Sequence, residues 1–544
     1  MAAVVLLVLL CWLVAYPLLL VALEAVHGAE GFTLAYVRQF VSRPIEWDAL
    51  WGSCWISLAS MALAALVGVP LAVLLWRFDF PGRKIVATLL ALPAVLPPLV
   101  GVISFVFLYG EAGFIARLVQ WLTGQTDPPW QFEGAGAILL VHTYSMYVYF
   151  YLFTRAGLER FDAAQLEAAA SLGASRWRTL RDVALPALRP SLVGAALLTF
   201  MTSLASFSAP YIFGGGFRVM TTRILATRLN GEDGLAQVQT VFLTLLALGG
   251  LWGLRRLEGR DRGSARRGAP TPLRPVRAGA ARAAAGILAW TLGLVLLLPH
   301  LTLLLVSFVP RGTWTTEPLP PVYALINYAT LFRDPVRLGP LLNSLWMATV
   351  AAAVAVGVAL LAGALSTARR APATRLIDVL LALPWAVPGT VFAIALATLL
   401  SVDRPLTGRF LLVGTIWILP LAYLIRNLPL ASRAILAGFR RLDPSLREAA
   451  ASLAAGPWRT LRRVTLPLLR PSIAAAATLA FVTGFGDFVT SVLLYTYDSR
   501  PVSLEILSSL RQADVGVAAA YGVLLMAVSA VVFALGGEAG SATA

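Results

Sequence analysis

Charge is what this 544-residue chain has least of. Only 13% of its residues are Asp, Glu, Lys or Arg, about half the ~25% usual in a soluble domain. With 59% hydrophobic residues and a mean hydropathy of +0.79, that scarcity excludes a soluble globular enzyme, a disordered chain and a fibrous repeat. The only cysteines, Cys11 and Cys54, lie in apolar runs, so no disulfide framework is indicated. His27, His142 and His300 are too scattered to suggest a metal cluster. There is no GxxxxGK[ST] phosphate loop: the one lysine, Lys84, follows Gly82-Arg83 and precedes Ile85. The chain therefore lacks a P-loop ATPase of its own, and no catalytic triad, zinc spacing or paired-carboxylate site is legible.

What is there is apolar sequence in long runs. A membrane span needs about 20 predominantly apolar residues, and twelve stretches qualify: 3–23, 53–75, 86–109, 135–154, 191–213, 236–254, 284–307, 342–365, 376–401, 410–427, 473–496 and 515–536. The first has no basic n-region and no convincing cleavage site, so a retained span is expected rather than a signal peptide. Pro93, Pro97 and Pro98 in the third stretch, and Pro384 and Pro388 in the ninth, predict kinks or breaks.

The net charge of +16 would suggest nucleic acid in a soluble protein. Here the arginines alternate with the spans. The loops after spans 2, 4, 6 and 10 are basic, carrying for example Arg155, Arg160, Arg176, Arg178, Arg181 and Arg189 after span 4, while the odd-numbered loops are balanced. The positive-inside bias places the basic loops, and both termini, in the cytoplasm. Residues 255–283, with nine arginines and no apolar period, read as a linker between two halves, solvated or lying on anionic headgroups.

The halves are copies. EAAASLGASRWRTLRDVALPALRPS (167–191) and EAAASLAAGPWRTLRRVTLPLLRPS (448–472) align without a gap at an offset of 281, with 19 of 25 positions identical. The register continues from Phe200, Thr202 and Phe207 to Phe481, Thr483 and Phe488. Six spans per half is an even number, so the copies share one orientation, a parallel repeat. The fold expected is all-α and polytopic: about 12 transmembrane helices in two parallel six-helix repeats. The expected boundaries are 1–50 (first helix and periplasmic segment), 51–254 (first transmembrane domain), 255–283 (linker), 284–340 (seventh helix and periplasmic segment), 341–536 (second domain) and 537–544 (tail).

The near-identical element is cytoplasmic, where a transporter that worked alone would have no reason to hold it. Its alanines favour helix and leave a low surface for close approach. Gly173 permits a sharp turn. Trp177 and Trp458 are aromatic anchors of a kind enriched at interface hot spots. Leu185-Pro186 and Leu466-Pro467 are expected to end the element before the chain re-enters the membrane. Both copies thus read as docking sites for copies of one partner.

The segment resembles the EAA loop of type I ABC importer permeases, with Glu167, Ala168, Ala169, Gly173, Val183, Leu185 and Pro186 in the first half and Glu448, Ala449, Ala450, Val464, Leu466 and Pro467 in the second. The second copy departs from the pattern at Ala454, where the motif has glycine, with the turn there expected to be displaced or its docking weakened. The resemblance covers about residues 50–535 and is to the fused ferric-iron and thiamine importer subunits; segments 206–224 and 493–507 look closest to the ferric type. It implies two copies of an ABC ATPase carrying ATP and Mg, a periplasmic solute-binding protein, and a multi-pass place in the bacterial inner membrane. It implies ferric iron as solute first, with thiamine, a polyamine or a phosphonate as alternatives.

Within the spans, Asp487 is the main ionisable residue, aligned with Ser206. An acid at membrane depth is costly. Asp487 reads either as lining a translocation pathway with Ser206 or as bonded to backbone amides at a glycine-loosened helix end. A gradient-driven secondary transporter would also suit twelve spans, but it predicts several buried titratable relays and leaves the repeated loops unexplained. A membrane-embedded enzyme would need clustered polar chemistry that is not visible.

Overall fold

The computed structural model describes residues 2–28, 31–94, 97–258, 275–314, 317–368, 372–403, 406–407, 410–443 and 445–541. Most of the expected linker, 259–274, and the last three residues of the expected tail lie outside them.

The first half runs through α1 (Ala2–Glu24), α2 (Pro44–Arg77), α3 (Pro98–Tyr109), α4 (Gly134–Glu159), α5 (Ala164–Ser171), α6 (Arg176–Leu204), α7 (Ser208–Phe213), α8 (Met220–Leu229) and α9 (Asp233–Glu258). The second repeats that order with α10 (Ala280–Val306), α11 (Pro335–Ala368), α12 (Pro372–Ala386), α13 (Gly389–Leu400), α14 (Ile418–Arg441), α15 (Ser445–Ser452), α16 (Trp458–Phe485), α17 (Val489–Leu494), α18 (Val502–Arg511) and α19 (Val515–Ser541). The only sheet among the described residues is a two-stranded hairpin pairing His27 with Phe32.

Ten helices among the described residues are long and apolar enough to cross a bilayer, or eleven if a bent pair is one span. Side chains such as Leu66, Ile287 and Leu535 point out of the bundle, which suits a lipid solvent. The bent pair is α12–α13, which turns by 110° around Val387-Pro388. Proline lacks an amide donor and restricts the residue before it, so a helix stops there. The equivalent first-half stretch breaks between Arg83–Leu89 and α3.

Three expectations need correcting. Stretches 191–213 and 473–496 are not continuous spans: α6 and α16 stop at Leu204 and Phe485, and short helices α7 and α17 follow. The tenth stretch, 410–427, is helical only from Ile418, in the 24-residue α14, which carries Arg426, Arg433, Arg440 and Arg441 and is not among the ten helices apolar enough to cross a bilayer. Nor do the Leu-Pro pairs end the coupling element. Five-residue π turns, Leu180–Ala184 and Leu461–Thr465, carry the helix straight into the spans, because a wider turn relieves the clash of the proline ring with the preceding carbonyls.

Each half lends its first helix to the other. α1 packs on α12 and α13, and Trp12 Nε1 donates to Leu406 O at 3.0 Å. α10 packs on α3 and on Arg83–Leu89, with Trp290 Nε1 donating to Pro81 O at 3.1 Å. Within each half the packing is the same: α2 lies on α4 and α6, and α11 lies on α14 and α16.

Candidate functional site

Two places in the molecule carry the repeat's chemistry. The first is the pair of repeated loop elements expected to dock a partner, α5 and α15 with the turns that follow. Each helix begins at an Asp whose carboxylate accepts a backbone N–H two residues on: Asp162 from Ala164 N at 3.1 Å, and Asp443 from Ser445 N at 2.9 Å. This cap satisfies one of the helix's open donors. The bonds from Ser445 hold the Asp443 carboxyl below the usual carboxylate range.

The C-terminal turns also match. Gly173 adopts φ +71°, and Ala454 adopts φ +54°. Ala174 N donates to Ala169 O, and Ala455 N to Ala450 O, both at 3.0 Å. The turn at Ala454 is therefore not displaced. Alanine takes the left-handed conformation that glycine takes in the first half, at a cost of about 1 kcal/mol.

Ala169 and Ala450 are buried on the inner side, while Glu167, Ala168, Glu448 and Ala449 lie outside. The turns then project large apolar side chains into the open: Leu172 is 87% and Trp177 69% exposed, and Leu453 is 83% and Trp458 72% exposed. Leu-Trp pairs left open twice in the same geometry are a surface that a partner would cover. Leu185-Pro186 and Leu466-Pro467 sit just past each π turn.

The second place is where α6 and α16 break. Ser206 and Asp487 lie at these two breaks, 281 residues apart. Ser206 Oγ is 2.8 Å from His142 Nε2 on α4, and His142 Nδ1 is 2.9 Å from Ser60 Oγ and 3.2 Å from Ser203 Oγ. Asp487 is bound by a different group on the equivalent helix: Arg426 Nη1 on α14 donates to its Oδ2 at 2.6 Å. Its Oδ1 accepts from Thr490 N at 2.9 Å, Ser491 N at 3.2 Å and the Thr490 hydroxyl. The backbone carbonyls behave alike, with Thr221 Oγ1 donating to Ser206 O at 2.8 Å and Ser503 Oγ to Asp487 O at 2.7 Å.

The residues next to these breaks meet at the midline. The Phe207 and Phe488 rings lie 5.8 Å apart, Tyr211 is 6.1 Å from Phe488, and Arg511 donates to the Tyr211 hydroxyl. Aromatic rings from both halves thus pack on one another between the two breaks. Sequence reasoning had missed His142, Arg426, Ser60 and Ser203. Arg426 was visible as an arginine inside an apolar stretch, but its partner lies 61 residues away on another helix.

Residues 62–262 and 355–537 match the family model described as binding-protein-dependent transport system inner membrane component. The chain belongs to that family. It is 31% identical to a probable ABC transporter permease protein, y4fN, of Sinorhizobium fredii, over 96% of this chain and 94% of that one. It is 25% identical to the ferric transport system permease protein FbpB of Actinobacillus pleuropneumoniae, over 96% of this chain and 75% of that protein. It is 28% identical to the thiamine transport system permease protein ThiP of Escherichia coli, over 88% of this chain and 87% of that one. The chain is a fused, duplicated permease: the family model is present twice and each copy ends in the same helical order. As a multi-pass permease of the ABC importer type, it works with an ATPase and a periplasmic binding protein.

Proposed function

We propose that the chain is the membrane-spanning subunit of an ATP-driven importer in the bacterial inner membrane. On this reading Glu167, Ala168, Ala169, Gly173, Trp177, Leu185 and Pro186 form one docking element, and Glu448, Ala449, Ala450, Trp458, Leu466 and Pro467 the other. Each receives one copy of an ABC ATPase, which binds ATP and Mg. Closure of the ATPases swings the halves between outward- and inward-facing states. Both termini lie in the cytoplasm with the basic loops.

The observation that carries this reading is the duplication of geometry as well as sequence, including a left-handed turn residue that is glycine in one copy and alanine in the other. The second copy keeps the turn, closed by the Ala455 N–Ala450 O bond, in spite of the cost of a left-handed alanine, which supports a shared docking shape.

Ferric iron is the solute placed first, on the likeness to a relative named for ferric transport over 96% of the chain; thiamine is the alternative, on the relative named for thiamine transport. Ser206 and Asp487 flank the translocation pathway beside the aromatic closure. The test is purification of the tagged chain in mild detergent, identification of co-purifying proteins and assay of the complex for ATPase activity. The cognate binding protein is then titrated with Fe³⁺ and with thiamine. Solute uptake by the lone chain in liposomes under an ion gradient would overturn the reading.

A further inference from the structure

We propose that Arg426 is a positioning residue for the midline seal: its ion pair with Asp487 latches the α16–α17 break, and with it the Phe488 ring, in the closed arrangement. The inference rests on the importer reading for its purpose, though its geometry stands alone. Asp487 divides its carboxylate between two elements. Oδ2 takes the Arg426 guanidinium from α14 at 2.6 Å, and Oδ1 takes the amides that open α17. One side chain thus ties α14 to α17 across the break. Tyr423 on α14 adds a second tie, its hydroxyl 2.7 Å from Ser491 Oγ.

The residues on either side of Asp487 are the ones that touch the first half. Phe488 faces Phe207 and Tyr211. Gly486 packs so closely on Pro97 that a Cβ there would lie 2.7 Å from the proline Cβ. Holding Asp487 therefore holds both contacts. The pair is deep enough for its charges to matter, since the Asp487 side chain is 6% and that of Arg426 26% exposed. Separating such charges away from water is costly, so the pair resists opening of the break. Gly389, first residue of α13, makes room for it: a Cβ there would stand 2.6 Å from Arg426 Nη1 and 2.8 Å from Cζ.

The latch is also connected to the coupling surface. From Arg426, α14 runs on to Arg441, and Asp443 then caps α15. A displacement of the second coupling element reaches the guanidinium along one helix, about 22 Å from Arg441 to Arg426 with Pro429 inside it.

The test reads ionic current through the purified full chain in planar bilayers with KCl on both sides. The wild-type chain stays closed. Arg426→Gln removes the latch and raises the open fraction on the order of a hundredfold, as expected for one broken partner of a buried pair. Arg426→Lys retains the charge and returns current toward the wild-type level. Gly389→Ala removes no charge but pushes the guanidinium aside, and it too raises current. If Arg426→Gln fails to insert, Gly389→Ala decides alone. Inserted Gln and Ala variants as silent as wild type would overturn the latch. Co-purification of an ATPase with the same wild-type preparation separates the two ideas: its absence sinks the importer reading and leaves the electrical result standing.

Discussion

The two halves share a plan and differ in the chemistry that executes it. At the break after the sixth and sixteenth helices, the first half uses His142 and three serines, whereas the second uses the Arg426–Asp487 ion pair. Near the start of the long second helix, Glu46 pairs with Arg223 at 2.7 Å. The equivalent positions, Arg337 and Glu505, have opposite charges and different partners, Asp514 at 3.1 Å and Arg500 at 2.6 Å. The coupling elements, by contrast, match in capping, turn geometry and exposed side chains. The pairs inside the bundle have diverged by compensated exchange, while the exposed elements have been held alike, as the proposed docking of identical partners would require.

The largest expected effect lies on the shared surface. Replacing Glu167 and Glu448 together by alanine should leave the chain inserted but lower ATP-driven uptake by roughly a hundredfold, measured in proteoliposomes with ATPase and binding protein. Each single substitution should cost less. Normal uptake by the double variant would remove the docking role.

The next effect sharpens the difference between halves. Removing Arg426 leaves a buried carboxylate uncompensated, a loss of about 3–5 kcal/mol. His142→Ala leaves neutral hydroxyls unpaired, a loss of about 1–3 kcal/mol. Apparent melting temperature in detergent should fall further for Arg426→Gln than for His142→Ala; the reverse order would show that the histidine cluster, not the ion pair, is the stronger tie.

A smaller effect tests the coupling turns. Gly173→Ala should weaken its turn by about 1 kcal/mol, giving the first half the strain the second already carries. Ala454→Gly should gain less than about 1 kcal/mol, because glycine also loosens the unfolded chain. Amide exchange at Ala174 and Ala455 reads both directly.

The smallest is a pH effect at Asp443. Its carboxyl is depressed by the bonds from Ser445, so the cap's contribution is complete above the unfolded-state value, about 3.9, and is lost as pH falls through the lower folded value. The Ser445 amide should stay protected through the usual aspartate range and exchange quickly only below it. Loss of protection already at ordinary aspartate pH would contradict the cap.

How much of this was legible in the sequence follows from range. The coupling motif and the proline breaks are local, and the repeat needs only one 25-residue window to be compared with another 281 residues on. The crossing of α1 and α10 to the opposite halves was not legible, because apolar helices carry no address for their partner in lipid. The early ends of α6 and α16 were hidden by apolar sequence that continues past Leu204 and Phe485 into short helices. α14 was misplaced because Arg426 and Arg433 lower its hydropathy, although one pairs with Asp487 and the other stacks on Trp385. For Asp487, the backbone-amide bonds are present as one of its two readings had them, but Arg426, which pairs with it from another helix, was not foreseen.

On the proposed function, this one chain presents two equivalent docking sites. Native mass spectrometry of the complex purified in mild detergent, with the cognate ATPase in excess, tests it most directly. Two ATPase subunits per chain are predicted, falling to one when either Trp177 or Trp458 is replaced by alanine. A complex that holds a single ATPase, or none at saturating concentration, would contradict it.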